Sequence, residues 1–346
     1  MKLKLLLPSL LFLAVSINSG AQIVYDLNEC ISIGLEKNYS LLISKNSEEV
    51  ALNNFTLGNA GFLPSLDLSG RYVGNINSTR SNFTDGTETE SNGEHTATAN
   101  AGLSMGMTIF NGFNVQTTYK KLNELKQIGE LNTQFSVENL VSGIISAYYN
   151  YIEQTMLLKN LQYAVTLSKE RLRIDEDRYL LGSSSKLQVL QSRVYLNADS
   201  SRLSRQTEVV RAAQIRLNEL MAVEDLSQLF STRDTAISVN PELFFEKLLD
   251  ETLANNTSLL IALKSKTISE FDRKLVASRS YPYLNASSGY TTTLNNYSAG
   301  TMERQNTNGM NYGLSLGMNI FDGLNQRRSI KNAEIEIQNR ELRYQE

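Results

Sequence analysis

Between Thr96 and Phe110 the chain alternates without a break. Ala97, Ala99, Ala101, Leu103, Met105, Met107 and Ile109 fall on one side; Thr96, Thr98, Asn100, Gly102, Ser104, Gly106 and Thr108 fall on the other. A period of two is the side-chain period of a β-strand with one apolar and one polar face. The same pattern returns later, where Met310, Tyr312, Leu314, Leu316, Met318 and Ile320 oppose Gly309, Asn311, Gly313, Ser315, Gly317 and Asn319. Weaker alternation follows Pro64 (Leu66, Leu68, Tyr72, Ile76) and Pro282 (Leu284, Ala286, Tyr290). The pattern predicts four strands, over 64–78, 96–110, 282–296 and 308–321, with a long polar loop at 79–94.

From Val115 the period changes to three and four. Leu122, Leu125, Ile128, Leu131, Phe135, Leu140, Ile144, Tyr148, Ile152, Leu158, Leu161, Val165, Leu172 and Tyr179 mark one face, and no proline interrupts them. This predicts a helix over 115–180, on the order of 100 Å long at 1.5 Å per residue. A periodic run well beyond 25 residues points to a coiled coil or another extended packing. Gly182-Ser183-Ser184-Ser185 breaks it, with Gly182 suited to a left-handed C-cap and a serine to the next N-cap. A return helix follows over 186–221, marked by Leu187, Val189, Leu190, Val194, Leu203, Val210, Leu217 and Leu220. Shorter helices are expected near 28–60 and 242–279, each ended by a proline, which cannot continue a helix. Residues 222–241 read as an irregular connecting region.

The chain repeats itself in order. Leu35-Glu36-Lys37-Asn38-Tyr39-Ser40-Leu41-Leu42-Ile43 aligns with Leu253-Ala254-Asn255-Asn256-Thr257-Ser258-Leu259-Leu260-Ile261, and Leu63-Pro64-Ser65-Leu66 with Tyr281-Pro282-Tyr283-Leu284. Gly102 through the Phe110-Asn111-Gly112 stop aligns with Gly313 through Phe321-Asp322-Gly323. Residues 22–221 form the first copy and 242–346 the second. Each copy reads helix, strand, strand, long helix.

Alternation alone fits a soluble sheet on a core as well as a membrane barrel strand with its polar side to the lumen. The beginning of the chain bears on the choice. Lys2 and Lys4, an apolar run from Leu5 to Ile17 and the small residues Ser19-Gly20-Ala21 make residues 1–21 a signal peptide. The protein is exported, and its strands are about ten or more residues long, enough to cross a bilayer when tilted. Tyr72, Tyr281, Tyr283, Tyr312, Phe110, Phe113 and Phe321 are candidate interfacial aromatics. Four strands cannot close a barrel, and an open edge in lipid costs several kcal/mol per unsatisfied group. If they span, several copies must share one barrel.

Composition narrows the chemistry. A net charge of −3 with no basic cluster gives no footprint for nucleic acid. Cys30 is the only cysteine, so no intrachain disulfide forms; it follows Asn28-Glu29 rather than small residues, which favours a buried core position over a lipid anchor. His95, the only histidine, is read as part of the polar hairpin loop, just past Glu94, with no second His or Cys nearby. The run Asp175-Glu176-Asp177 reads as a solvated helix face. No phosphate loop, nucleophile elbow or two-cysteine metal motif is present. No catalytic, cofactor or metal site is expected, and the chain is not read as an enzyme.

The order of these elements resembles TolC-like outer membrane efflux proteins. The most specific stretch is Arg178-Tyr179-Leu180-Leu181-Gly182-Ser183-Ser184-Ser185-Lys186-Leu187-Gln188-Val189-Leu190-Gln191-Ser192, similar to the family's periplasmic helical tip. Leu27-Asn28-Glu29-Cys30-Ile31 with Asn38 is similar to its first helix. The resemblance implies a mainly α fold with transmembrane β: long antiparallel coiled-coil hairpins, and four strands per subunit in a shared trimeric barrel. It implies an outer-membrane channel that extends into the periplasm, partnered by itself as a homotrimer, by outer-membrane lipid, and by a periplasmic adaptor and inner-membrane pump. Drugs, metals or secreted proteins would pass through untransformed. Arg178, Leu181, Gly182 and Ser183 become candidates for adaptor contact, although an ordinary helix turn explains the same residues. After Gly323 the chain ends at Glu346 in mid-helix, so the second hairpin and its constriction residues are expected to be missing from a C-terminally truncated chain. Two other classes compete: an adhesive surface protein of coiled coils and hairpins without a pore, and a periplasmic adaptor, whose Gly- and Val-rich lipoyl-like domains are not seen.

Overall fold

The structure is a computed structural model that describes residues 23–234, 244–298 and 302–346. The expected signal peptide lies outside the described residues. The chain divides into two compact units. A helical unit comprises Met1–Tyr39 and Val137–Pro241, and a sheet unit comprises Ser40–Ser136 and Glu242–Glu346.

In the helical unit, strand β1 (Ile23–Tyr25) leads into helix α1 (Leu27–Lys37). The Asp26 side chain accepts from the Glu29 N–H at 2.8 Å while the Glu29 carboxylate accepts from the Asp26 N–H at 2.8 Å. This capping box satisfies two N–H groups that the first helical turn leaves open. The later part of α4 (Asn114–Leu180) and the helix α5 (Lys186–Leu220) form an antiparallel hairpin. Cys30, Ile144, Tyr148, Leu217 and Met221 have no exposed surface and form the core with Leu140, Tyr151, Ile152 and Phe230. Full burial of a side chain such as Ile144 contributes about 1.5–3 kcal/mol. Gly34 is there because nothing larger fits: a Cβ would sit 2.5 Å from Ile144 Cδ1.

The connecting region is not wholly irregular. Phe230–Thr232 forms strand β4, paired in parallel with β1. Three residues are too few to show a period. Phe230 holds the strand in place, its ring 5.5 Å from Tyr25 and 4.9 Å from Tyr151, with the Tyr151 hydroxyl donating to the Phe230 carbonyl at 3.1 Å. The buried Asn218 side chain donates to the Leu226 and Gln228 carbonyls at 3.0 Å each, which ties the connecting loop to α5.

The sheet unit begins with α2 (Tyr39–Asn54) and α3 (Leu57–Ala60). The single helix expected over 28–60 is therefore three. Asn38 breaks it with extended geometry (φ −62°, ψ 120°), and its repeat counterpart Asn256 (φ −63°, ψ 117°) breaks the helix expected over 242–279 into α6 (Phe245–Asn255) and α7 (Thr257–Ser278). Asn256 caps the second piece by accepting from the Leu259 N–H at 3.1 Å. Strands β2 (Ser65–Asn82), β3 (Glu88–Asn111), β5 (Tyr283–Tyr297) and β6 (Arg304–Gly317) make one antiparallel sheet in the order β2-β3-β5-β6. Helix α8 (Asn325–Gln345) follows and packs on α7, with Arg273 paired to Glu334 at 2.8 Å.

Two expectations about the strands are corrected. Most of the 79–94 segment is strand rather than loop: β2 and β3 continue to a short turn at 83–87, where the Phe83 N–H donates to the Thr87 carbonyl at 2.9 Å. His95 accordingly sits in β3, opposite Ile76. The alternation fades there because both faces are polar; Arg80 pairs with Glu88 and, at 3.5 Å, with Glu90. The strand expected over 308–321 instead runs over Arg304–Gly317. Residues 318–321 lie past the start of β5 at Tyr283, and a strand without a partner has no ladder to join.

Candidate functional site

Residues directly opposite in an antiparallel sheet share a face, so the register locates every side chain. Leu68, Leu103, Tyr290 and Met310 form one row across all four strands. Leu66, Met105, Ser288 and Tyr312 form the next, and Met107, Ala286 and Leu314 the next. Leu68, Tyr72, Met310, Tyr312, Leu314 and Leu316 are all more than two-thirds exposed. The result is a mainly apolar face, with Ser288 and Thr292 among its members, whose large side chains no described residue covers. Exposed apolar surface on this scale marks a membrane or protein contact.

The other face carries Asp67, Ser69, Arg71, Asn100, Ser104, Thr291, Asn295, Asn311 and Ser315, together with Gly102, Gly106, Gly289, Gly309, Gly313 and Gly317. Edge strands β2 and β6 each leave one side of the ladder unpaired. Both strand turns end in the same device. Gly112 (φ +67°) and Gly323 (φ +70°) take the left-handed conformation, and each is followed by a non-glycine that does the same, Phe113 (φ 64°) and Leu324 (φ 65°). The Asn111 side chain then accepts from the Val115 N–H at 3.3 Å, and Asp322 from the Gln326 N–H at 2.7 Å, starting the helices α4 and α8.

At the far end of the helical unit, the four tip candidates come together. Gly182 (φ +75°) caps α4 and its N–H donates to the Tyr179 carbonyl at 3.0 Å. The Ser183 N–H and hydroxyl donate to the Arg178 carbonyl at 2.8 Å and 3.0 Å. This is a Schellman-type closure, which leaves the chain free to reverse. Ser185 caps α5 by accepting from the Gln188 N–H at 3.3 Å. Leu181 is 83% exposed and its neighbour Leu180 is 80% exposed, so the tip presents apolar groups to its surroundings.

The periodicity of α5 hid part of this surface. Leu187, Leu190 and Val194 recur at three and four and read as a seam, yet with Tyr195 they line an exposed groove. The residues that face α4 are Val189 and Ser192, both buried. Ser192 donates its hydroxyl to Asp175, so this carboxylate is buried and not part of a solvated face. Near the tip the seam is made by one valine and by a small serine with its hydrogen bond, not by the regular apolar spacing. The rest of the charge run is exposed: Arg173 pairs with Glu170 and, at 3.0 Å, with Asp177, and Arg193 with Glu176 at 2.9 Å. The hydrogen bond from Arg173 holds the Glu170 carboxyl below its usual range.

Among the described residues no group of His, Cys, Asp and Glu is placed to hold a metal ion, and no helix is long and apolar enough to cross a membrane. Burial, with help from the charges of Asp26 and Glu29, pushes the Cys30 thiol up to about 12, as befits a core residue. The Tyr148 hydroxyl is raised by burial and by its hydrogen bond to Asp234 at 2.9 Å.

Comparison with curated proteins gives no match. Among solved structures, the chain is similar to CusC, whose structures concern transmembrane channel formation, with 16% identity, 93% of this chain and 72% of that one covered, and a TM-score of 0.72. It is similar to the outer membrane protein VceC of Vibrio cholerae (14% identity, 92% and 74% covered, TM-score 0.72). It is also similar to the CmeC outer membrane channel of Campylobacter jejuni (15% identity, 92% and 66% covered, TM-score 0.75). Identities this low establish the fold. The sequence pattern of the outer membrane efflux proteins matches residues 30–223, more than half of the chain. The chain therefore belongs to the outer membrane efflux protein family, as a non-enzymatic channel subunit of the outer membrane that extends into the periplasm.

Proposed function

We propose that three copies of this chain share one twelve-stranded barrel in the outer membrane, and that the long hairpin carries the conduit through the periplasm to a docking tip. The observation that carries this reading is the four-stranded sheet with one predominantly apolar, exposed face and two edges left unpaired among the described residues. An apolar face without a core suits lipid, and a polar face suits a water-filled lumen. Unpaired edges in hydrocarbon must be closed, and only further copies of the same sheet can close them. Residues 22–221 and 242–346 act as two copies of one helix–strand–strand–helix unit, so the barrel has six such units.

At the tip, Arg178, Leu181, Gly182 and Ser183 would meet a periplasmic adaptor, which in turn engages an inner-membrane pump. The exposed Leu180–Leu181 pair and the hydrogen-bonded closure around Gly182 support a contact surface there. Single-channel conductance in a planar bilayer, with crosslinking to count subunits, tests the proposal. Discrete conductance steps from a crosslinked trimer are expected. A well-folded monomer without conductance would overturn it.

A further inference from the structure

Strands β3 and β5 meet where the two sequence copies meet, and the repeat relates that seam to the open edges. Pro64 matches Pro282, so β2 is the counterpart of β5; Gly112 matches Gly323, so β6 is the counterpart of β3. The seam already made inside the chain is therefore a template for the seam the edges still lack. In it, Ala99 faces Leu294, Leu103 faces Tyr290, Met107 faces Ala286 and, past an irregularity, Phe110 faces Leu284. Carried through the repeat, these become Met310 facing Ile76, Leu314 facing Tyr72, Met318 facing Leu68 and Phe321 facing Leu66. Every pair stays on the apolar face, and the tyrosine–leucine pair of the first seam recurs in the second. A slip of one residue would set polar side chains against apolar ones.

The end of β6 supplies a second observation. Its counterpart β3 continues through 107–111, where β5 is its neighbour, because β2 starts opposite Gly106. The matching segment 318–322 has no such neighbour among the described residues, and β6 stops at Gly317. Met318, Ile320 and Phe321 are left 55%, 92% and 76% exposed.

We propose that β6 of one copy pairs antiparallel with β2 of a second copy in this inherited register, Leu314 opposite Tyr72, and that residues 318–322 become strand only through that pairing. The inference rests on the shared-barrel reading and adds to it the partner strand, the register and a segment that orders on assembly.

Cysteine pairs in the outer-membrane protein test the register. Leu314→Cys with Tyr72→Cys, and Gly313→Cys with Val73→Cys, place thiols at two adjacent opposed positions, one of which is a close, non-hydrogen-bonded pair. Oxidation should link at least one of these pairs into covalent multimers. Tyr72→Cys combined with Leu316→Cys or Tyr312→Cys, displaced by two residues, should link roughly tenfold less. Cys30 is fully buried and stays out of the reaction. Preferential linking of a displaced pair in an assembled trimer would overturn the register while leaving the shared barrel intact. A protein that is monomeric in light scattering and links through no pair would overturn both. Hydrogen exchange on the unsubstituted protein gives an independent reading. Amides within 318–322 should exchange roughly tenfold or more slowly in the assembled channel than in dissociated subunits. Equal exchange in both would overturn the ordering of this segment.

Discussion

Gly34 and Ile144 offer a sharp measure of how tightly α1 is seated. A Cβ on Gly34 would lie 2.5 Å from Ile144 Cδ1, but 3.8 Å from Cγ1 and 3.5 Å from the Leu220 carbonyl oxygen. One methyl group is therefore the whole obstacle. Gly34→Ala gains about 1 kcal/mol of helix propensity and meets about 1–3 kcal/mol of overpacking, for a net loss of about 0–2 kcal/mol. Ile144→Val removes that methyl from a fully buried residue and costs about 0.5–1.5 kcal/mol alone. In the double variant the new methyl occupies the vacated space, so both the overpacking and the cavity disappear. The pair should be more stable than the sum of the single effects by at least about 1 kcal/mol, within the range expected for residues in contact. Denaturation of the four proteins in detergent, followed by far-ultraviolet circular dichroism, gives the cycle. Additivity to within about 0.3–0.5 kcal/mol would refute the packing argument.

The two glycine stops should respond unequally to alanine. At Gly112 a Cβ collides with the Ser278 carbonyl and lies 2.8 Å from Tyr281 Cβ, whereas at Gly323 the nearest atom is 3.7 Å away. Gly323→Ala should cost dissociated subunits only the left-handed strain of about 1–2 kcal/mol, and Gly112→Ala clearly more by thermal melting. Ser192→Ala removes the donor to buried Asp175 and should destabilise the hairpin by about 1–3 kcal/mol, read as faster proteolysis near the tip. The Cys30 thiol, moved from 9.0 to about 12, keeps its proton longer when folded than when unfolded. Its stabilisation is full below about 9 and is lost as pH rises toward 12, so Cys30→Ala should flatten the alkaline fall in melting temperature. A thiol reagent at pH 8 should label the chain only after denaturation.

The strands and long helices were legible because each runs for many periods, and the repeat made each copy a check on the other. What escaped the sequence obeys other physics. The β1–β4 pair is three residues long and depends on Phe230 finding Tyr25 and Tyr151, a contact made across distant parts of the chain. The outer halves of β2 and β3 are polar on both faces, so the ladder continues where the hydrophobic signal stops. In α5, Leu187, Leu190 and Val194 have the spacing of a core and the exposure of a surface, because periodicity identifies a face without saying what covers it. The tip itself was readable from Gly182, since a left-handed closure between two helices needs that residue or a near equivalent. The seam holding its two arms together was not, because Ser192 and Asp175 look like surface residues until they meet.

The six glycines on the polar side of the sheet bear on how such a wall can bend. When a sheet rolls up, side chains on the concave side are squeezed together and those on the convex side spread apart. Here the bulky Leu, Met and Tyr residues occupy one side, while Gly102, Gly106, Gly289, Gly309, Gly313 and Gly317 thin out the other. The preferred direction of curl is thus set by side-chain volume, in the same sense that lipid solvation demands. In the proposed barrel this side faces the bore, which would be lined by bare peptide groups and short hydroxyl and amide side chains, with Asp67 and Arg71 as the charged exceptions.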